Sequence, residues 1–454
     1  MAGSEPGKRA NVSKMNKESQ SGEKISVFWF RRDLRLEDNT ALARAVSSGY
    51  PVLPVFIFDT EIIDELPSDD ARISFIYKQL QKIHKQLVAR SSSLHLFKGE
   101  ILIVWKELLA RYEIQGVYAN KDYEPYALKR DRELGEELES LGIGLHLFKD
   151  QVIFEEADIM KEDGKPYTVF TPYKRKWLQK FKGNASLREA RQEGGGFLKS
   201  FQSFPHMEAL GFTPSLIQVL PYDLSNLKDY GRMRDFPDSD ATSHLSPHLR
   251  FGTVSIRQLM ARLGPSDEIF LSELIWREFF MQILFHFPRV VDQNFKPRYN
   301  GIAWLNHAED FERWCEGKTG YPMVDAGMRQ LNATGTMHNR VRMVTAGFLC
   351  KHLLIDWRMG EAYFAGKLLD YELSSNNGNW QWAASTGCDA APYFRIFNPM
   401  EQLKKFDPDL TYVKRWIPEY GTPDYPGPVI DHKFARKRAL ESFRNALQNY
   451  LPES

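Results

Sequence analysis

Between residues 25 and 148, short apolar runs alternate with stretches in which apolar positions recur every three or four residues. Ile25–Phe30, Val52–Phe58, Leu94–Phe97, Val117–Ala119 and Leu145–Phe148 have the length and continuity of buried strands. Helical spacing is clearest from Asp70 to Ala89, where Ile73, Ile76, Leu80, Ile83 and Leu87 share one face. Strands alternating with helices predict an α/β domain built on a doubly wound parallel sheet. The periodicity breaks from Glu155 to about Pro214, a stretch holding the cluster Lys174-Arg175-Lys176 and the run Gly194–Gly196, which reads as a connector with some helix. From Ser215 onward the pattern is helical and dense in Trp, Phe, Tyr and Met, without internal repeats, to a last helical stretch at Asp431–Tyr450. The expected organisation is a tail at 1–24, an α/β domain at 25–150, a connector at 151–214 and an all-α domain at 215–454.

A chain of 454 residues is too long for one typical core, so two or three domains agree with the pattern. The formal net charge of +1 excludes a polycation that coats nucleic acid, so any DNA contact must come from a local patch. Cys315, Cys350 and Cys388 form no CxxC pair, which argues against a disulfide framework or a zinc site and for a reducing cytoplasm. The longest apolar runs fall far below the roughly 20 residues of a membrane helix. Residues 1–24 lack the apolar segment of a secretory signal and read as a disordered tail or an expression remnant, with a weak basic targeting tract as the alternative. No GxGxxG follows the first strand, and Gly317-Lys318-Thr319 has Glu312 where a phosphate-binding loop needs its first glycine.

The most informative segment is Asn376–Pro399. Asn376 and Asn377 are adjacent amides in an apolar region, where each must find hydrogen-bond partners. Trp380 and Trp382 follow, then Arg395 and Asn398 among aromatics. The mixture suits a flat, heteroatom-rich ring held among aromatics, beside groups that contact nucleic acid. Upstream, Ala241–Ser246 clusters hydroxyls at the start of a helical run; alone it is a helix N-cap, and such a terminus also binds phosphate.

Asn376–Pro399 closely resembles the flavin-site signature of DNA photolyases and cryptochromes. The likeness extends through Phe28–Asn39, Thr168–Trp177, Glu273–Phe280, Lys318–Leu331, Thr336–Met343 and Leu353–Glu361, nearly the whole chain after residue 24. The resemblance implies an α/β domain followed by a helical domain that holds FAD. It assigns Tyr230, Thr242, Ser243, His244, Leu245, Ser246 and Phe270 to the dinucleotide. It sets Arg342 and Asp370 as an ion pair against the flavin ring with Tyr371 and Glu372 adjacent, and Asn376 facing N5. Glu372 departs from the Asp of many relatives. Glu273, Trp276, Asn339, Arg340 and Met343 would form a pocket for a flipped pyrimidine dimer, Trp276 stacking on it. Arg277, Phe280, Arg395 and Gln402, with Lys404 and Lys405, would contact damaged DNA. Trp380, Trp357 and Trp304 correspond to an electron path from flavin to surface; each alone is ordinary packing.

Within the family, Asn339, Met343 and Asn376 match cyclobutane pyrimidine dimer photolyases, most like class I. The (6-4) enzymes carry His at the first two positions, and plant and insect cryptochromes have Asp or Cys at the third. The implied activity is light-driven repair. Reduced FAD gives an electron to the dimer, two carbon–carbon bonds break, and the electron returns, in a monomer without metal. A cryptochrome-like photoreceptor is the competing class, disfavoured by the residues above and the short C-terminal extension. A second, antenna chromophore is expected on the α/β domain: reduced folate, deazaflavin or flavin. Glu124 matches a folate contact, and no lysine after Phe287 completes that site.

Overall fold

The computed structural model describes residues 22–451, apart from 182–186, 188, 189, 193, 194 and 240. Most of the expected tail and Gly194 of the glycine run therefore lie outside the described residues. Five strands form one parallel sheet: β1 (Lys24–Phe30), β2 (Val52–Asp59), β3 (His95–Gly99), β4 (Glu113–Asn120) and β5 (Gly144–Phe148). Their order is β3-β2-β1-β4-β5, so the winding reverses between β1 and β4.

Alternation along β1 sends its side chains to two cores. Phe28 and Phe30 pack with α1 (Thr40–Val46) and α2 (Ala71–Val88) on one face. Val27 and Trp29 pack with α3 (Ile101–Arg111) and α4 (Pro125–Ser140) on the other. Both faces are covered, which is why the strands read as continuous apolar runs. Asp70 caps α2 through a bond from Arg72 N of 2.8 Å, and Ala89 ends it, at the bounds the periodicity predicts.

Within the connector, α5 (Phe170–Phe181) packs on α6 (Glu268–His286). Glu278 of α6 ties this region down. Its buried carboxylate accepts from Ile153 N at 2.7 Å, Phe154 N at 3.3 Å and Trp177 Nε1 at 2.6 Å. The helical half also contains α7 (Asn339–Gly347), α8 (Trp357–Lys367), α9 (Leu373–Ala384) and α10 (His432–Gln448). Helix α9 crosses both α6 and α8 at glycines: a Cβ on Gly378 would lie 2.1 Å from Phe280, and one on Gly360 would lie 2.2 Å from Trp380. Among the described residues, no helix is long and apolar enough to cross a membrane.

The sheet and the helices meet tightly. Gly252 has φ 61°, and a Cβ there would sit 2.2 Å from the Arg32 carbonyl oxygen. Leu34 N donates to Phe251 O at 3.0 Å. Beside this contact Arg257 pairs with Asp38 at 3.0 Å and Asp150 at 2.8 Å, and Arg35 pairs with Asp150 at 2.6 Å, all nearly buried.

Candidate functional site

The helical half encloses a cavity of about 1070 Å³, at the upper end of small-molecule sites. Its walls come from the 216–220 segment, the Thr242–Arg250 stretch, α6, α7, the turn before α9, and α9 itself. Seventeen residues expected from the sequence meet there: Tyr230, Thr242, Ser243, His244, Leu245, Ser246, Phe270, Glu273, Arg277, Asn339, Arg342, Met343, Asp370, Tyr371, Glu372, Asn376 and Trp380.

The two adjacent amides find their partners on different elements. Asn377 Nδ2 donates to Val290 O at 2.8 Å, behind the wall. Asn376 Nδ2 donates to Glu361 Oε1 at 2.8 Å and Glu361 O at 3.1 Å. With both amide hydrogens committed, the Asn376 carbonyl oxygen is the acceptor that remains. Burial pushes the Glu361 carboxyl above its ordinary range, against the bond from Asn376. Arg342 Nη2 reaches both carboxylate oxygens of Asp370, at 3.2 and 3.0 Å, in a partly buried pair. Ser246 Oγ donates to Asp370 Oδ2 at 2.6 Å.

The Ala241–Ser246 hydroxyls do not cap the helix that follows. The short helix Ser246–Arg250 has Leu245 at its N-cap, without a side-chain cap bond. His244 is left-handed (φ 49°), which turns the segment along the cavity wall. Tyr230 packs edge-on to Phe270 at 5.2 Å, and burial holds its hydroxyl up at about 12.

Glu273 pairs with Arg234 at 2.5 Å, and Asn339 Nδ2 lies 4.0 Å from Met343 Sδ. Trp276 does not line the cavity. Its ring lies flat on Phe170 of α5, centroids 3.6 Å apart and planes 9° apart, and near Phe280 at 5.4 Å. Phe280 is buried against Gly378. Arg340 pairs with Asp235 at 2.8 Å and sits over Phe406. Arg395 is exposed and borders a small crevice with Met343, Trp382 and Lys351. Gln402 is half-buried on the helix Pro399–Phe406, whose Lys404 and Lys405 face outward. The three tryptophans grade outward: Trp380 on the cavity wall, Trp357 fully buried and donating to Asn294 Oδ1 at 2.8 Å, and Trp304 partly exposed against Phe443 of α10.

Three polar residues at the site were not singled out from the sequence: His338 and Arg250 line the cavity, and Glu361 reaches it only through Asn376. Glu361 was visible only as the last letter of Leu353–Glu361. His338 lies inside Thr336–Met343; its Nδ1 accepts from Arg340 N, its Nε2 has no partner, and burial lowers its pKa to about 4, so the ring is a neutral donor. Arg250 has a buried Nη1 with no hydrogen-bond partner, 3.5 Å from Glu124. Glu124 itself is committed to Arg32 at 3.0 Å.

Residues 26–193 match the family model described as DNA photolyase, and residues 270–423 match the FAD binding domain of DNA photolyase. A deoxyribodipyrimidine photo-lyase of Vibrio cholerae is 36% identical across 93% of this chain and 100% of its own length. The chain belongs to the DNA photolyase family. Among solved structures, a bacterial class III photolyase from Agrobacterium tumefaciens superimposes with a TM-score of 0.83 at 32% identity, covering 96% of this chain and 100% of that one. An archaeal photolyase from Sulfolobus tokodaii, solved with two FAD molecules, gives 0.80 at 33% identity, covering 93% and 100%.

The α/β half and the helical half are thus the two parts of a photolyase, and the cofactor of the helical half is FAD. The cavity fits that group in size. It also offers it the unpaired His338 Nε2, the Arg250 guanidinium and the free acceptor of Asn376.

Proposed function

We propose that this protein is a deoxyribodipyrimidine photo-lyase that splits cyclobutane pyrimidine dimers in ultraviolet-damaged DNA under near-ultraviolet or blue light. The observation that carries the reading is that Asn376, the Arg342–Asp370 pair and Trp380 line the same cavity as Asn339, Met343 and Glu273. Reduced FAD bound there supplies the photo-excited electron that opens the dimer.

The chain's own residues hold and tune. Asn376, oriented by Glu361, presents a neutral acceptor where a carboxylate would oppose an anionic ring. Arg342, held by Asp370 and by its Nε bond to Met337 O at 2.8 Å, keeps a fixed positive charge at the wall. Asn339 and Met343 also line the cavity and support the cyclobutane-dimer class over the (6-4) class. For Trp276 to stack on a dimer, the Phe170 ring must yield one of its faces, since it now covers that face. Arg395, Gln402, Lys404 and Lys405 suit phosphate contacts that orient a duplex without reading its sequence. We assign the protein a monomeric, cytoplasmic role, with an antenna chromophore on the α/β half.

The test is a thymine-dimer oligonucleotide incubated with protein whose flavin has been reduced. Dimer loss under blue light and none in the dark is the expected result. Retained flavin with no dimer loss in light would leave the photoreceptor reading in its place.

A further inference from the structure

A chain of buried charges runs from the ends of β1 and β4 to the cavity wall. Arg32, just past β1, donates from Nη1 to Asp122 Oδ1 and Glu124 Oε1, each at 3.0 Å, and from Nη2 to Glu372 Oε1. Glu372 lies 340 residues further along the chain. Arg277 Nη2 approaches the same Glu372 oxygen at 3.4 Å, and Arg250 stands 3.5 Å from Glu124. Glu372, Arg277 and Arg250 line the cavity; Arg32, Asp122 and Glu124 belong to the sheet side. The side chains of Arg32 and Glu372 are only 11% and 6% exposed. Three guanidiniums face three carboxylates, so the cluster is neutral as it stands. Burial would raise the Glu372 carboxyl, yet Arg277, Arg32 and Arg250 outweigh it and hold the group below its ordinary range, ionised.

We propose that Arg32, a residue of the sheet half, is a positioning residue for the flavin. It holds the Glu372 carboxylate against the cavity wall and cancels its charge there. The length of the glutamate sets this contact: aspartate, one methylene shorter, would lengthen and weaken it. Without Arg32 the wall gains an uncompensated negative charge, which disfavours an anionic reduced ring. The redox poise of the cofactor is then set by both halves of the chain.

The inference rests on the cavity holding FAD, and the experiment separates the two. The midpoint potential of bound FAD is measured in the holoprotein, with release of FAD fluorescence and the thermal midpoint in parallel. Arg32→Gln is expected to move the potential to more negative values, by a tenfold or larger change in the two-electron equilibrium, about 30 mV. Arg32→Gln combined with Glu372→Gln removes both charges and should return it toward the parent, a non-additivity that marks direct coupling. Arg35→Gln is the control: it removes the 3.0 Å bond from Arg35 Nη1 to Gly252 O, which bridges the same two halves without lining the cavity. It should lower thermal stability and leave the potential in place. Glu372→Asp, which keeps the charge and lengthens the contact, should move the potential in the same direction as Arg32→Gln, and it carries the test if Arg32→Gln does not fold. Parental potentials in Arg32→Gln and Glu372→Asp, with a shift in Arg342→Gln, would overturn the proposal and leave the cavity assignment intact. Parental potentials in all three would overturn both.

Discussion

Asn376 concentrates the chemistry of the site in one choice of side chain. An amide and a carboxylate have nearly the same shape, so Asn376→Asp should keep FAD bound. It would, however, place a second acid 2.8 Å from Glu361, whose carboxyl burial already raises. One of the two must take up a proton, or the negative charge falls beside the flavin. Reduced flavin should therefore reoxidise faster in air, and repair under aerobic light should drop by tenfold or more, as flavin absorbance and dimer loss would record. An unchanged reduction curve would mean that Asn376 faces away from the ring. At this scale the sequence was partly legible. Asn376, Arg342 and Asp370 announce themselves as polar residues in apolar surroundings. Glu361 and His338 do not, because an acid in the middle of a helix and a histidine before an Asn-Arg pair look like ordinary surface and cap residues. Their role comes from burial, which local spacing does not reveal.

Helix α9 makes its contacts through the absence of side chains as much as through their presence. Gly378→Ala would drive a methyl to 2.1 Å from the Phe280 ring, on the helix that also carries Trp276 and Glu273. Overpacking of this kind costs about 1–3 kcal/mol, so a lower thermal midpoint and reduced flavin content after purification are expected. The proposed electron path belongs to the same scale, since its tryptophans stand on α8, on α9 and in a loop packed against α10. Trp304 meets Phe443 edge-on at 6.0 Å, a contact phenylalanine can also make. Trp304→Phe should fold, yet photoreduction of oxidised FAD by an external reductant should collapse, because phenylalanine is much harder to oxidise. Repair by chemically pre-reduced protein should persist. Absorbance under blue light beside a repair assay separates the two activities. The elements themselves were legible to within a few residues, β2 and α2 above all, because buried strands and one-sided helices write their periods directly into the sequence. The Trp276–Phe170 stack was not, since it joins α6 to a connector helix a hundred residues earlier.

For the whole molecule, Glu278 is the residue whose ionisation bears on folding. Burial outweighs its hydrogen-bond donors and pushes the carboxyl from 4.5 up to about 7. The folded state therefore binds more protons than the unfolded chain between those values. Its contribution to stability is fully present below about pH 4.5 and is lost as pH rises through 7, on the order of 3 kcal/mol in all. Glu278→Gln cannot ionise, so the parent should lose stability relative to it across that window, as paired denaturation curves at several pH values would report. The two-part architecture was visible in the change of period near residue 150. What joins the parts was not, because the pairing of Arg32 with Glu372, or of Arg257 with Asp38, leaves no trace in local pattern. These shared shells mean that the sheet half is not a freely exchangeable module. A hybrid with a relative's first 150 residues would inherit a buried charge lacking its counterpart wherever Arg32, Asp122 or Glu124 is unmatched, at about 3–5 kcal/mol each. Divergence at these positions must then proceed in pairs, each change near the start of the chain tolerated only alongside its answer several hundred residues later.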